Sequence, residues 1–250
     1  MATRLDQLLV RRGFAASRAR ARRLIEAGAV HVAGRVVTKA GRSVGEDAEI
    51  DVTAADIPYV SRAGLKLEAA VAAFALDPAG IHAVDVGAST GGFTDFLLQH
   101  GAAAVTTVDV GTEQLHARLR SDSRVHCREN TDIRRVDPAS LGAPFDWLVA
   151  DISFLSLRSV LPCLRALVAP GSTVLVLVKP QFEAGPAQVG RGGIVRDDSA
   201  RQAALASVQE QAAAHGFRPV RSMEVPLAGE AGNREFFLLL EPMPVPAPGN

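Results

Sequence analysis

Lys179 ends an apolar run from Thr173 to Val178, and a proline follows it directly. Six such residues read as a strand buried on both faces. An ammonium at the end of that strand has to be paired, because an isolated charge beside a core is costly. The stretch DWLVADIS (146–153) brings Asp151 to the end of another apolar run in the same way. An amine and a carboxylate at neighbouring strand ends can orient a reacting group and move its proton. Two more residues extend the set: Lys66 in SRAGLKLEAAVAAF (61–74) and Glu235 in GNREFFLLL (232–240). Each has an ordinary explanation: a solvated helix lysine, a helix-capping aspartate, a glutamate on an exposed edge. Four in the order K…D…K…E, three of them expected at one sheet edge, are harder to dismiss.

The elements that must position them alternate strand and helix. SRAGLKLEAAVAAF reads as an amphipathic helix. IHAVDVG then leads into the helix FTDFLLQH, AVTTVDVG into a helix from Glu113, DWLVADIS into a helix through Leu167, and VLVLVKP follows. A helix over 198–215 and an excursion over 216–232 precede the last strand, FFLLLE. Repeated βα units predict a doubly wound parallel sheet covered on both faces. Ligands of such sheets bind outside the carboxyl ends of the strands. If the last strand runs antiparallel, Glu235 at its start joins Asp151 and Lys179 on that rim. The loop EAGPAQVGRGG (183–193) is glycine-rich and reads as mobile.

The first βα turn, AVDVGASTGGFTDFLLQ (83–99), has the spacing D-x-G-x-x-x-G-G. That is neither the dinucleotide fingerprint nor a P-loop. With Asp85 and Asp109 at strand ends, it resembles the S-adenosylmethionine pocket of Rossmann-like methyltransferases. The resemblance places the methionine end near Asp85, Gly87, Ala88, Ser89, Gly91, Gly92 and Phe93, the ribose near Asp109, the adenine near Asp132, and Asp151 beside the cofactor. A dehydrogenase is the weaker alternative, and no metal is expected.

Net charge is zero, from 27 basic and 27 acidic residues, but the distribution is uneven. Residues 1–45 carry ten Arg/Lys against two acids, a net +8. A basic module on an acidic body is the pattern of a polyanion binder joined to something else. Helices are predicted over 4–12 and from Ser17 to Glu26, followed by the short β runs VHV, RVV and AEIDV. Arg4, Arg11, Arg12, Arg18, Arg20, Arg22 and Arg23 are the candidate nucleic-acid contacts, Arg18 and Arg22 sharing a helix face. Cys127 and Cys163 share no metal or disulfide spacing, the opening MATRLDQLLVRRG is charged too early for a signal peptide, and no apolar run is long enough to span a membrane. A cytoplasmic protein with no stable membrane association is expected.

Residues 4–41 resemble the S4 RNA-binding domain, which implies RNA, and not DNA, as the partner. The K-D-K-E set resembles the tetrad of FtsJ-type ribose 2′-O-methyltransferases. The strings SRAGLKL, DVGASTGGFTD, DISFLSL, VKPQFE and GNREFF make the chain similar to the haemolysin-named TlyA family of ribosomal RNA methyltransferases. The expected organisation is a small α+β S4-like domain (1–52), a linker (53–60), a Rossmann-like methyltransferase domain with an antiparallel last strand (61–242) and a disordered tail (243–250). The family implies S-adenosylmethionine-dependent methylation of cytidine 2′-hydroxyls in ribosomal RNA or ribosomal subunits, with Lys66, Asp151, Lys179 and Glu235 as the catalytic group. In that scheme Lys66 acts on Lys179 by like-charge repulsion, and the two carboxylates counter it. The linker departs from the family, with IPYV where a tryptophan-containing tetrapeptide is usual. A noncatalytic RNA-binding or ribosome-assembly factor and a membrane-active haemolysin are the competing functions. The haemolysin reading has no long amphipathic cationic helix to support it, and the oligomeric state is open.

Overall fold

The computed structural model describes residues 2–15, 17–26, 28–52, 57–227, 229 and 232–244. The chain divides into two compact units, residues 1–58 and 59–250. Residues 53–56 of the expected linker and 245–250 of the expected tail lie outside the described residues. Met243 does not hang free: its N–H donates to the Gly216 carbonyl, and its own carbonyl accepts from Arg165.

In the first unit, β1 (Ala2–Arg4), α1 (Leu5–Arg11) and α2 (Arg18–Glu26) precede β2 (Val30–Val32), β3 (Arg35–Val36), β4 (Ser43–Gly45) and β5 (Ile50–Val52). Leu5, Leu8 and Leu9 repeat at i, i+3, i+4 and are buried with Leu24, Ile25 and Val30. Ser17 accepts from the Arg20 N–H at the start of α2. Strands β3, β2 and β5 form one antiparallel sheet. The pairing of β1 with β4 was not visible in the sequence, since three-residue strands carry no periodicity.

In the second unit, α3 (Arg62–Phe74) leads into β6 (His82–Val86), α4 (Gly92–Gln99), β7 (Ala104–Val108), α5 (Ala117–Arg120) and β8 (Val125–Arg128). Then come α6 (Pro138–Leu141), β9 (Phe145–Ala150), α7 (Leu161–Arg165), β10 (Val168–Val178), α8 (Pro180–Glu183), α9 (Asp198–Ala214), β11 (Phe217–Glu224) and β12 (Phe236–Pro242). The seven-stranded sheet has the order β11-β12-β10-β9-β6-β7-β8. Strands β6 to β10 run parallel and β12 runs antiparallel to β10, as the sequence predicts. Val84, Leu148, Val174 and Val176 are fully buried, which is why these strands read as continuous apolar runs.

Two expectations are corrected. The excursion over 216–232 contains β11, an edge strand paired along β12. Its sequence, FRPVRSME, is mostly exposed and interrupted by Pro219, and proline is tolerated in sheets at an edge. The helix expected from Glu113 is only the single turn of α5, because Glu113 itself has φ 54°. Glu129 accepts from the N–H groups of Glu113, Gln114 and Leu115 and from Arg120, fixing that segment as a turn.

Candidate active site

The strand register brings the K-D-K-E group to one rim. Val178 pairs with Phe236 and Val176 with Ala150, so Lys179, Glu235 and Asp151 emerge where β10, β12 and β9 meet the same edge. On α3, Leu67, Ala70, Val71 and Phe74 form the buried stripe, and Lys66 lies one turn before Ala70 on it. Lys66 is 8% exposed and Glu235 2%, and the Lys66 Nζ donates to Glu235 Oε2 at 2.7 Å. Lys179 Nζ lies 2.5 Å from Asp151 Oδ1, outside hydrogen-bond geometry to that oxygen, and donates to Ser153 Oγ at 2.7 Å.

The four charges therefore form two ion pairs. The Lys66 charge is matched within hydrogen-bond distance by Glu235, one of the two carboxylates expected to counter its repulsion of Lys179. The Glu235 carboxylate is further closed in by the loop before it, where Gly229 stands so near that a Cβ would collide with Oε1. Val225 N–H donates to the Glu235 carbonyl at 2.8 Å, closing the base of the same loop.

Next to these pairs lies the β6–α4 turn. Asp85 is fully buried at the end of β6. Its Oδ2 accepts from the Thr94 N–H at 3.0 Å and the Thr94 hydroxyl at 2.7 Å, whereas Oδ1 has no donor. Burial pushes its carboxyl up to about 7, with Thr94 opposing and the negative charges of Asp151 and Asp109 adding to the rise. Gly87 has φ +81°, and a Cβ there would sit 2.6 Å from the Asp151 carbonyl. The absence of a side chain lets the turn close onto the end of β9. Gly92 does the same against Ser61 and Ala63, seating the start of α4 on the start of α3. Ala88 is buried, Ser89 has φ 49° and Gly91 φ 92°, so the turn is a tight backbone cradle. The Phe93 ring is buried in the core against Phe237, which leaves only its backbone to face a ligand. Asp109, at the end of β7, accepts from Ser89 N–H and Gly111 N–H, both at 2.7 Å.

A model of the FtsJ-like methyltransferase family matches residues 59–241, and an S4 domain model matches residues 3–50. The chain is 43% identical over 238 residues to the 16S/23S rRNA (cytidine-2′-O)-methyltransferase TlyA of Mycobacterium tuberculosis, covering 95% of this chain and 89% of that protein. The chain belongs to the TlyA family of FtsJ-like methyltransferases. A solved structure from Streptococcus thermophilus, named as a hemolysin, matches 98% of this TlyA-family chain and 90% of its own, with TM-score 0.78 and 39% identity. Hemolysin A of Brachyspira hyodysenteriae is 37% identical over 93% of this chain and 97% of its own length. Among the described residues, no helix is long and apolar enough to cross a membrane.

Other family-implied positions are engaged in ways the sequence did not reveal. Arg134 holds the Asp132 carboxylate at 2.7 Å, keeping it at about 2. In the S4 unit, Arg4 and Arg18 both pair with the buried Asp6, whose carboxyl the Arg4 hydrogen bond draws down to about 2. Arg11 pairs with Glu46, and Arg12 donates to the carbonyls of Glu46 and Ala48. At least four of the seven candidate RNA contacts thus also bond within their own domain. Arg22 is 4.0 Å from Glu26, and with Arg23 it lies exposed on α2 near Arg20. Seven acids face ten basic residues over residues 1–58, leaving +3; the +8 counted over 1–45 stops one residue short of Glu46.

Among the buried polar residues that the sequence reading did not single out, Glu183, Arg201 and Asn233 tie loops in place. Glu183 accepts from the Ser156 hydroxyl, the Leu157 N–H and Arg158, pinning the segment after β9 to α8. Arg201 donates to the Val195 and Arg196 carbonyls. Asn233, 1% exposed, donates to the Gly193 carbonyl and accepts from the Val195 N–H. The C-terminal end of the glycine-rich loop is therefore tied to the segment before β12, a tie the sequence did not reveal.

Proposed function

We propose that the chain transfers a methyl group from S-adenosylmethionine to a ribose 2′-hydroxyl of ribosomal RNA, a cytidine, in the cytoplasm where ribosomes are assembled. The observation that carries this reading is the convergence of the Lys179–Asp151 and Lys66–Glu235 pairs on the rim that also holds the Asp85–Gly92 turn. The relatives' rRNA (cytidine-2′-O)-methyltransferase activity supports the choice of substrate.

The residues of the turn fit the cofactor. Asp85 Oδ1 is a buried acceptor without a donor, and three carboxylates crowd the rim, which favours a cationic group above them. Gly87 lets the turn pack directly on the end of β9, beside Asp151, and Asp109 stands where ribose hydroxyls are held in such folds. When bound, S-adenosylmethionine supplies a methyl group already activated on a sulfonium. A ribose hydroxyl is a weak nucleophile and has to lose its proton as its oxygen takes the methyl carbon. Lys179, fixed by Asp151 and Ser153, is the group that orients the hydroxyl, with Asp151 beside it to share the proton. The Lys66–Glu235 pair walls the other side. Positioning supplies much of the remaining acceleration.

The deciding experiment incubates pure protein with radiolabelled S-adenosylmethionine and ribosomal subunits, then maps the label. Label on cytidine 2′-oxygens is the expected result; label on bases or protein, or none at all, overturns the reading.

Asp85 adds a pH dependence. A carboxyl raised to about 7 is protonated below neutrality and charged above it. Cofactor affinity is therefore expected to rise with pH through this range, by up to tenfold per unit below pH 7. Its folded pKa lies above the unfolded value of about 4, so folding stability moves the other way and declines as pH rises from about 4 to 7. Asp85→Asn is expected to flatten both profiles. Titration calorimetry and denaturant melts across pH 5–8 check this, and an unchanged affinity profile in the variant refutes it.

A further inference from the structure

We propose that the hairpin Gly190–Ile194 is an RNA phosphate clamp, with Arg191 as its contact and Asn233 as the residue that positions it. The inference rests on the reading of the chain as an RNA methyltransferase and adds to it a second point of hold on the substrate, beside the reacting centre.

The hairpin is closed by a bridge between Gly190 and Ile194, with Gly192 and Gly193 at positive φ in its turn. It follows α8, which begins directly after Lys179, and precedes the N-cap of α9 at Asp197. Asn233 grips it from the other side of the rim. The Asn233 Nδ2 donates to the Gly193 carbonyl at 2.8 Å, and its Oδ1 accepts from the Val195 N–H at 2.9 Å. Asn233 is only two residues from Glu235, and the Gly229 N–H donates to the Asn233 carbonyl. One buried amide therefore locks the hairpin to the segment that delivers Glu235. A loop that merely connected two elements would not need a buried side chain with both ends of its amide spent on the loop backbone.

The charges sort in the same direction. Arg158 pairs with Glu183, Arg201 with Asp198, and Arg234 with Glu224 and Asp198. Arg191, exposed in the hairpin turn, has no carboxylate partner among the described residues, and neither has Arg196 just beyond it. Apart from Arg196 the neighbouring arginines are spent internally, and Arg191 is the guanidinium carried by the braced hairpin. Its planar fork suits a phosphodiester. The occupant this fits is the backbone of the RNA strand flanking the target ribose, whose charge the acidic rim itself cannot hold.

The test is steady-state methylation of ribosomal subunits by the full chain, over a range of salt. Arg191→Ala is expected to raise KM for RNA about five- to tenfold, leave kcat and cofactor affinity within about twofold, and make the salt dependence of RNA binding shallower by about one unit of log–log slope. Asn233→Ala is expected to reproduce the KM and slope changes, and the double variant to add little to Arg191→Ala, because the asparagine acts through the arginine. Inactive wild-type protein overturns the function and this inference together. Active wild type with unchanged KM and slope in Arg191→Ala overturns the clamp alone. Additive effects of the two substitutions overturn the positioning role of Asn233.

Discussion

Replacing Lys179 with methionine is expected to lower the rate of methyl transfer at saturating substrates by about a thousandfold or more, with cofactor affinity within about twofold of wild type. The size follows from what is removed. A positioned proton-transfer group contributes roughly 10²–10⁴-fold, and Lys179 is also the only lysine on β10's end of the rim, held at 2.5 Å from Asp151 and 2.7 Å from Ser153. Methionine keeps the volume of the buried stem, so the strand end stays packed. The turn from Asp85 to Gly92 is held by its own hydrogen bonds to Thr94 and Asp109, which is why binding of the cofactor is expected to survive. Ser153→Ala removes one orienting hydrogen bond and leaves the amine, so about a tenfold loss is expected there. Single-turnover methylation, with cofactor binding measured separately, checks both. A Lys179 variant that methylates RNA near the wild-type rate would falsify the assignment.

How much of this was readable beforehand depends on what kind of signal each residue leaves. Asp151 and Lys179 were legible because a charge that terminates a fully apolar run is rare and has few bland explanations. The sheet itself was legible because β6, β7, β9 and β10 are buried on both faces and write continuous apolar strings. Lys66 was legible only in part. It lies on the buried stripe with Leu67, Ala70 and Val71, but a lone lysine on a helix reads equally well as solvated. Glu183, Glu129 and Asn233 were not legible, because each is fixed in part or wholly by backbone N–H and C=O groups in turns, which carry no sequence mark. The same blindness hid the tie on 183–193: glycine content reports a turn correctly and says nothing about an asparagine some forty residues later that grips it. Strand β11 was hidden because an exposed edge strand with Pro219 has neither alternation nor an apolar run. The arginines misled for a related reason, since a charge count cannot see that Asp6 and Glu46 are placed to receive them.

The Lys66–Glu235 pair offers the sharpest separation of fold from function. Glu235→Ala removes the carboxylate that, among the described residues, pairs with a lysine only 8% exposed, and leaves the ammonium buried without that counter-charge. Breaking a buried pair in this way costs roughly 3–5 kcal/mol, so the variant is expected to unfold at a much lower denaturant concentration as well as to lose activity. Lys66→Met leaves the opposite charge stranded and is expected to behave alike. The double variant Lys66→Met/Glu235→Leu removes both charges and fills the space with apolar volume. Desolvating two ions is expensive, so an apolar replacement is often neutral or stabilising. The double variant is therefore expected to regain most or all of the lost stability while remaining as inactive as either single variant. Denaturant unfolding set beside methyl-transfer assays reads the two quantities independently. Recovered stability without recovered turnover would mean that a pair the fold does not need is kept for the reaction. Recovery of both would mean that Lys66 and Glu235 only brace the rim, and the chemistry would then rest on Lys179 and Asp151 alone.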